Sequence, residues 1–310
     1  MIVTCGEALV DLLPVDVAGE LLYRPVLGGS LYTVALGIAR LGGDSGYLWE
    51  LSHDDLGRRF LAALEVAGVH CAAIRLSGRA TPVALVDMSG EEPRYNIADP
   101  DGVMLDTVPG ILPAGAAALH IGSAVLARDP VGAAIEAVAR TAPLVTIDYN
   151  ARAPSIVDAV AYRARLRRIA ALSGVVKASV ADIALIGEGE PEAYMAELIE
   201  AGAAMTVLTA GSAGAQIRTA SASAEAPSLA PGVVDPVGAG DSFMAALLYR
   251  LQRDRTLSKD ALRQYDAAGL ADLLEYAQAA AAFTCAHKGA VMPTAGELSQ
   301  YRQAVCRSEA

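Results

Sequence analysis

From about residue 105 onward, short apolar runs alternate with helical patterns, and this alternation leaves few folds open. Leu119-His120-Ile121-Gly122, Leu144-Val145-Thr146-Ile147-Asp148, Val175-Val176-Lys177 and Met205-Thr206-Val207-Leu208 read as strands. Between them, residues 129–141, the basic stretch 158–172 and residues 191–201 have the apolar spacing of helices. Strand, helix and strand in succession imply right-handed crossovers and a parallel sheet packed between helices. In open sheets of this kind ligands meet the chain beyond the carboxyl ends of the strands. Residues just past each strand are therefore the ones to weigh for chemistry.

One such junction is Asp235-Pro236-Val237-Gly238-Ala239-Gly240-Asp241-Ser242-Phe243. It is expected to join a strand end at Gly232-Val233-Val234 to an apolar helix from about Ser242 to Leu251. The glycines permit a sharp turn and close approach of a ligand. Amides of Gly238, Ala239 and Gly240, at the positive end of a helix dipole, would form an anion site. A carboxylate at Asp241 does not help to hold a phosphate at rest, but it can take a proton from a hydroxyl attacking that phosphate. A branched side chain at Gly240 is expected to block that approach and to demand a forbidden φ. The plainer alternative is a strand-to-helix turn with Asp241 as a helix cap. The bare Gly-x-Gly-Asp pattern leaves both open.

Length and charge narrow the classes. A chain of 310 residues with 54% hydrophobic but only 5% aromatic residues is alanine-rich, which suits helices packed closely on a sheet. The net charge of −11 argues against a nucleic-acid surface, so an anionic ligand must be met by local amides, a metal or a few basic groups. Cys5, Cys71, Cys285 and Cys306 lack Cys-x-x-Cys spacing and read as reduced thiols. The N-terminus has no signal-peptide pattern, and the apolar run 114–127 is too short to span a bilayer. A cytoplasmic protein without a membrane partner is expected. His70, His120 and His287 are scattered without zinc-ligand spacing.

The N-terminal part opens with a buried strand, Ile2-Val3-Thr4-Cys5, followed by Gly6-Glu7-Ala8-Leu9-Val10-Asp11. Asp11 at a strand end is either a ligand contact or a turn cap. Gly28-Gly29-Ser30 precedes a helix at 34–41 that Gly42-Gly43 stops. His53 reads as a surface turn residue, and Arg58-Arg59 open a helix ending near Gly68. Residues 81–98 alternate as a hairpin around Ser89-Gly90-Glu91-Glu92 and, with about 12–27, would lay a small sheet over Asp11 and Gly29. Residues 220–230 read as a loop or strand pair and 256–270 as an exposed charged connection. The stretch from Leu273 to Cys285 reads as an alanine-rich helix. One main domain with a small lid is expected.

The string from Asp235 to Phe243 closely resembles the C-terminal motif of the ribokinase, or PfkB, family of carbohydrate kinases. Gly6-Glu7-x-Leu9-x-Asp11 and Gly28-Gly29-x(4)-Val34-Ala35-x(3)-Ala39-Arg40-Leu41-Gly42 resemble its N-terminal segments, and Ser52-x-Asp54-x-x-Gly57 resembles its Gly-x-Asp-x-x-Gly turn. The resemblance covers roughly residues 1–298 and is nearest the fructokinase-like branch. It implies a ribokinase-like α/β fold, a three-layer α/β/α sandwich with a mostly parallel central sheet and a small β-sheet lid. Residues 1–310 would form a single kinase domain, with the lid at about 12–27 and 78–100. The implied activity is ATP-dependent phosphorylation of a primary hydroxyl of a small sugar. No Gly-x(4)-Gly-Lys-Ser/Thr occurs, so this is not a P-loop enzyme.

Residue roles carry over with the motifs. Asp241 would be the catalytic base, and the Gly238, Ala239 and Gly240 amides the anion hole. Asp11, Gly28, Gly29 and Thr33 would meet the sugar, although the family usually has Asn where Thr33 stands. Tyr32 beside it is expected to fill part of that gap. Asp148-Tyr149-Asn150-Ala151-Arg152 resembles the Asp-Pro-Asn-x-Arg segment, placing Asn150 and Arg152 at the substrate. Lys177 would contact the nucleotide, and Ser179 with Asp182 would organise Mg2+ through water in place of Asn-x-x-Glu. Thr209, Gly211 and Gly214 resemble the nucleotide-phosphate turn, with Ala210 lacking its usual basic residue. Gly289 would lie beside the adenine, and Asp235 at a monovalent-cation site for K+. The resemblance also implies a homodimer formed through the lid. A 2-keto-3-deoxygluconate or nucleoside kinase, and a non-catalytic sensor on the same fold, stay open as alternatives.

Overall fold

Parallel pairing dominates the larger sheet. The computed structural model describes residues 1–87, 89, 94–229 and 232–308. Its eight-stranded sheet runs Ser223–Ala226, Ala215–Arg218, Met205–Thr209, Ser173–Ser179, Val145–Asp148, Ala118–Gly122, Ile2–Cys5, Ser45–Tyr47. Every pair from Met205–Thr209 to Ser45–Tyr47 is parallel, and the remaining two strands form an antiparallel edge. Ala118–Gly122 and Val145–Asp148 are buried at every position, the pattern of strands covered on both faces.

The pleat divides their side chains between two helical layers. Val3, Leu119, Ile147 and Val176 pack with Ile135, Leu166, Ile169 and Leu198 on one face. On the other, Ile2, Ala118, Val175 and Val207 pack with Val34 and Ile38 of the helix Ser30–Arg40, and with Phe243, Met244 and Leu247 of the helix Ala239–Arg253. The long helix Ala267–Cys285 joins this second layer through Leu270, Leu273 and Leu274.

The second sheet has the order Glu20–Gly28, Leu9–Val17, Val83–Asp87, Arg94–Ala98. Leu9 opposes Gly28 in its first antiparallel pair, so the chain enters and leaves this sheet at one place. The entry directly follows Ile2–Cys5, and the exit leads straight into Ser30–Arg40. The expected small sheet is thus present and begins at Leu9 rather than 12. Gly90, Glu91 and Glu92 of the expected hairpin turn lie outside the described residues. Both faces carry exposed apolar side chains: by the register Leu21, at 64% accessible, Tyr23 and Leu85 share one face, and Val17 and Leu22 lie on the other.

Several local expectations change. Residues 232–234 are no strand end: the amides of Val234 and Asp235 donate to the Cys285 carbonyl at 2.8 and 3.2 Å, which ties the segment to a helix end instead of the sheet. The motif helix starts at Ala239 and not near Ser242, because Gly238 caps it directly. Residues 256–270 hold a helix, Lys259–Arg263, whose Leu262 is fully buried, and Asp266 caps the next helix by accepting from the Gly269 amide at 2.8 Å. Residues 215–226 form a hairpin, and a helix Ala295–Ser308 follows where none was expected. Cys5, Cys71 and Cys285 are unpaired. No helix among the described residues is long and apolar enough to cross a membrane.

Candidate active site

The carboxyl ends of the central strands, the starts of Ser30–Arg40 and Ala239–Arg253, and the small sheet enclose one cavity. Asp11, Gly28, Gly29, Thr33 and Arg152 line it, together with Gly238 and Asp241 of the motif. Asn150 does not. It adopts a left-handed φ of 39°, which Asn tolerates, and its carbonyl accepts from Arg152 Nη1 at 3.2 Å. Tyr32 does not reach the cavity either. Its ring packs edge-on against Phe60 at 4.7 Å and faces the core, so the expectation that it fills the gap beside Thr33 fails.

The paired glycines are required by close approach. A Cβ on Gly28 would overlap the Asp11 carboxylate, and one on Gly29, at φ 98°, would overlap the Glu7 carbonyl. In the motif the same role falls to Gly238, not Gly240. Gly238 has φ 80°, and a Cβ there would lie 2.5 Å from that of Ala290. Gly240 is helical, and its Cβ would meet only Lys177 Nζ at 3.5 Å, an ordinary contact. The left-handed φ expected at Gly240 therefore belongs to Gly238.

At the helix start the Ala239 amide closes a turn on the Pro236 carbonyl at 3.2 Å, and the first intrahelical bond runs from Ser242 N to Gly238 O at 2.9 Å. The amides of Gly240 and Asp241 sit in the first turn, where a helix supplies no carbonyl of its own. Asp241 caps nothing: Gly238 is the N-cap, with no side-chain cap bond. Instead Ser30 Oγ donates to Asp241 Oδ1 at 2.6 Å. Burial pushes the Asp241 pKa up to about 6, with the Ser30 hydrogen bond opposing it and Asp148 adding to it.

Two more acids share the cavity. Burial raises Asp11 to about 7, with Arg152 opposing, and Glu7 to about 6, with Ser123 opposing. Asp11 Oδ1 and Glu7 Oε2 are buried without a hydrogen-bond partner among the described residues. Arg152 Nη1 also donates to the Ala151 carbonyl at 3.2 Å, and its guanidinium stacks 5.3 Å from the Tyr95 ring centroid on the small sheet.

The residues expected at nucleotide and metals are dispersed around this cavity. Lys177 Nζ pairs with Asp148 Oδ2 at 2.6 Å, both buried, beneath the first turn of the motif helix. Ser179 and Asp182 form a capping box, and Asp182 Oδ1 also accepts from the Ala151 amide at 2.7 Å. They thereby hold the turn that carries Arg152. Gly214 lines a separate groove with Val180, Glu192 and Gln216, beside Thr209 and Gly211 at the end of Met205–Thr209. The Asp235 carboxylate accepts from Val237 N at 3.0 Å and Gly289 N at 2.8 Å, stapling the motif turn to the loop after Cys285. Among the described residues no three His, Cys, Asp or Glu side chains form a metal-binding group.

Residues 2–295 match the pfkB family carbohydrate kinase. The chain belongs to that family. This pfkB-family member is 32% identical over 275 residues to a fructokinase of Rhizobium leguminosarum bv. trifolii, covering 86% of this chain and 84% of that one. The crystal structure of fructokinase from Vibrio cholerae O395, in its fructose, ADP and calcium ion bound form, superposes with a TM-score of 0.82 at 25% identity, covering 97% and 98% of the two chains. Aminoimidazole riboside kinase from Salmonella enterica, complexed with aminoimidazole riboside and an ATP analog, superposes at 0.77 with 27% identity, covering 98% and 100%. The pfkB-family chain is thus an ATP-dependent sugar kinase with the ribokinase-like fold.

Sequence reasoning missed Glu7, Ser30, Ser123 and Tyr95 in the cavity wall. Glu7 had a signal, since it follows the end of Ile2–Cys5, whereas Asp11, expected at a strand end, lies inside the strand Leu9–Val17. Ser30 had a weaker one in its place after Gly28-Gly29.

Proposed function

We propose that this kinase transfers the terminal phosphoryl group of ATP to a primary hydroxyl of a small sugar, in the manner of a fructokinase. One observation carries the reading: Asp241 caps no helix and is held by Ser30 at the cavity floor, next to first-turn amides. Ionised above about pH 6, Asp241 accepts the proton of the attacking hydroxyl. The Gly238-Ala239-Gly240 backbone stabilises charge on the phosphoryl oxygens, Gly240 foremost, because the Ala239 amide is shared with a turn. Asp11, Thr33 and Arg152 position the sugar, while Lys177, Thr209, Gly211, Gly214 and Gly289 serve the nucleotide side.

Magnesium, when bound with ATP, neutralises phosphate charge. The oxygens of Asp182 already accept three protein hydrogen bonds, so Ser179 and Asp182 suit a water-mediated contact and not direct ligation. Asp235 fits a K+ site only through the loop it staples. We read residues 1–310 as one kinase domain with the small sheet as its lid. The exposed Leu21, Tyr23 and Leu85 on one face of the lid support a homodimer through that sheet, and the enzyme belongs in the cytoplasm with its ATP. A nucleoside kinase is the second reading, supported by the likeness to the aminoimidazole riboside enzyme. Coupled ADP release across a panel of sugars and nucleosides tests the proposal, with Asp241→Asn as the control. ADP release that no compound stimulates would refute it.

A further inference from the structure

The Glu7 carboxylate accepts from the Ser123 hydroxyl and from its own amide, and these do not use up its acceptors. Glu7 follows Gly6, whose carbonyl accepts from the Tyr47 hydroxyl at 2.6 Å, so the turn presenting it is fixed. The residue is only 2% exposed, lines the sugar cavity, and belongs to no ion pair among the described residues. Its Oε2 is buried without a donor there, as is Asp11 Oδ1. Buried acceptors without partners are rare, and two in one cavity call for donors brought by a ligand.

The charge of the walls says which donors. Glu7, Asp11 and Asp241 face the cavity with Arg152 as the one cation lining it among the described residues. Arg152 is already shared between two backbone carbonyls and the Tyr95 ring. A ligand carboxylate would bring no donor and would add a negative charge beside three acids. A hydroxyl donates to a carboxylate and can still accept from Arg152. Glu7 sits on the body just past Ile2–Cys5, whereas Asp11 lies on the small sheet. A polyhydroxylated ligand between them would tie one to the other.

We infer that Glu7 is a second substrate-binding acid, taking a sugar hydroxyl opposite Asp11, and that the site accepts uncharged sugars or polyols and refuses sugar acids. This rests on the sugar-kinase reading and narrows its substrate.

The test is calorimetric binding to nucleotide-free enzyme of fructose, tagatose, ribose and xylitol against gluconate and 2-keto-3-deoxygluconate. Wild type should bind at least one uncharged compound 100-fold or more tighter than either acid. Glu7→Gln, which keeps size but loses a carboxylate acceptor, should weaken that compound at least tenfold, with ATP affinity within twofold. Tighter binding of an acid than of every uncharged compound would overturn the inference. So would a folded Glu7→Gln protein, judged by circular dichroism, with unaltered sugar affinity. The wild-type comparison needs no variant, so a variant that fails to fold does not shield the idea. Phosphoryl transfer read after ATP is added to the same samples judges the kinase reading separately: Glu7-dependent binding without turnover would sink that reading and leave this one standing.

Discussion

Ser30 Oγ donates to Asp241 Oδ1 at 2.6 Å, joining residues 211 positions apart. Ser30 opens the helix that follows Gly28-Gly29, so the proposed base is tied to the point where the small sheet meets the body. Burial favours the neutral acid and the hydrogen bond favours the carboxylate; burial is the larger of the two, and Asp241 is left half-ionised near pH 6.

Removing the donor should therefore move the balance further. Ser30→Ala is expected to shift the acidic limb of the kcat/KM profile upward by about one unit, the low end for one lost hydrogen bond to a charged group. At pH 8, where the base is ionised either way, turnover should stay within a few-fold of wild type. A pH series from 5 to 8.5 decides it, and an unmoved limb would mean that Ser30 does not act through Asp241.

Asp241→Asn keeps size and polarity but cannot accept the proton. The expected result is a kcat loss of about 10²–10⁴ with nucleotide affinity largely retained. Steady-state turnover with calorimetric ATP binding checks both halves. Activity within a few-fold of wild type would remove Asp241 from the mechanism.

What sequence could reveal was whatever backbone geometry forces on residue type. Gly28, Gly29 and the Gly-Ala-Gly-Asp string were legible because close approach and a left-handed turn admit little else. The division of labour inside the string was not: Gly238 needs its glycine for Ala290, a contact formed by a loop some fifty residues on. The pairings of Ser30 and Tyr95 were invisible for the same reason, since their partners Asp241 and Arg152 are distant in the chain. Lys259–Arg263 was hidden because one buried leucine among charged residues gives too little periodicity to read.

Asp11 should cost stability where it serves binding. Burial raises its pKa from 3.8 to about 7, so the folded state prefers the protonated acid. That contribution is fully present below about pH 4 and is lost as pH rises through about 7. Asp11→Asn, neutral throughout, should be more stable than wild type at pH 8 by on the order of 1–4 kcal/mol, and the gap should close as pH falls toward 4. Urea unfolding at several pH values checks the sign. Equal stability at pH 8 would show that Asp11 ionises freely in the folded protein.

The small sheet presents Leu21, Tyr23 and Leu85 to solvent on one face. Such a face invites a partner, and a second copy is the proposed one. Light scattering at micromolar concentration should give a dimer mass, and Leu21→Glu should return the monomer. A wild-type monomer under those conditions would count against assembly through this sheet.

Thr33 lines the cavity at 3% exposure, and its amide is used by the Gly29 carbonyl at 2.9 Å, which leaves the hydroxyl for a ligand. An Asn here would offer a carbonyl acceptor and an NH₂ with two donors, enough to bridge adjacent sugar hydroxyls. Threonine is shorter and carries one hydroxyl. Tyr32 packs into the core and cannot make up the difference. A sugar whose hydroxyls are spaced for Asn would then leave one unpaired, at a cost of about 1–3 kcal/mol. The prediction is that fructose is a poor substrate, and that a sugar or polyol with a different hydroxyl pattern is the better one. Thr33→Asn should lower KM for fructose by about tenfold or more, the equivalent of one such bond. KM and kcat for fructose in both proteins settle the matter. Efficient wild-type use of fructose, unimproved by Asn, would make Thr33 a neutral replacement and leave a plain fructokinase.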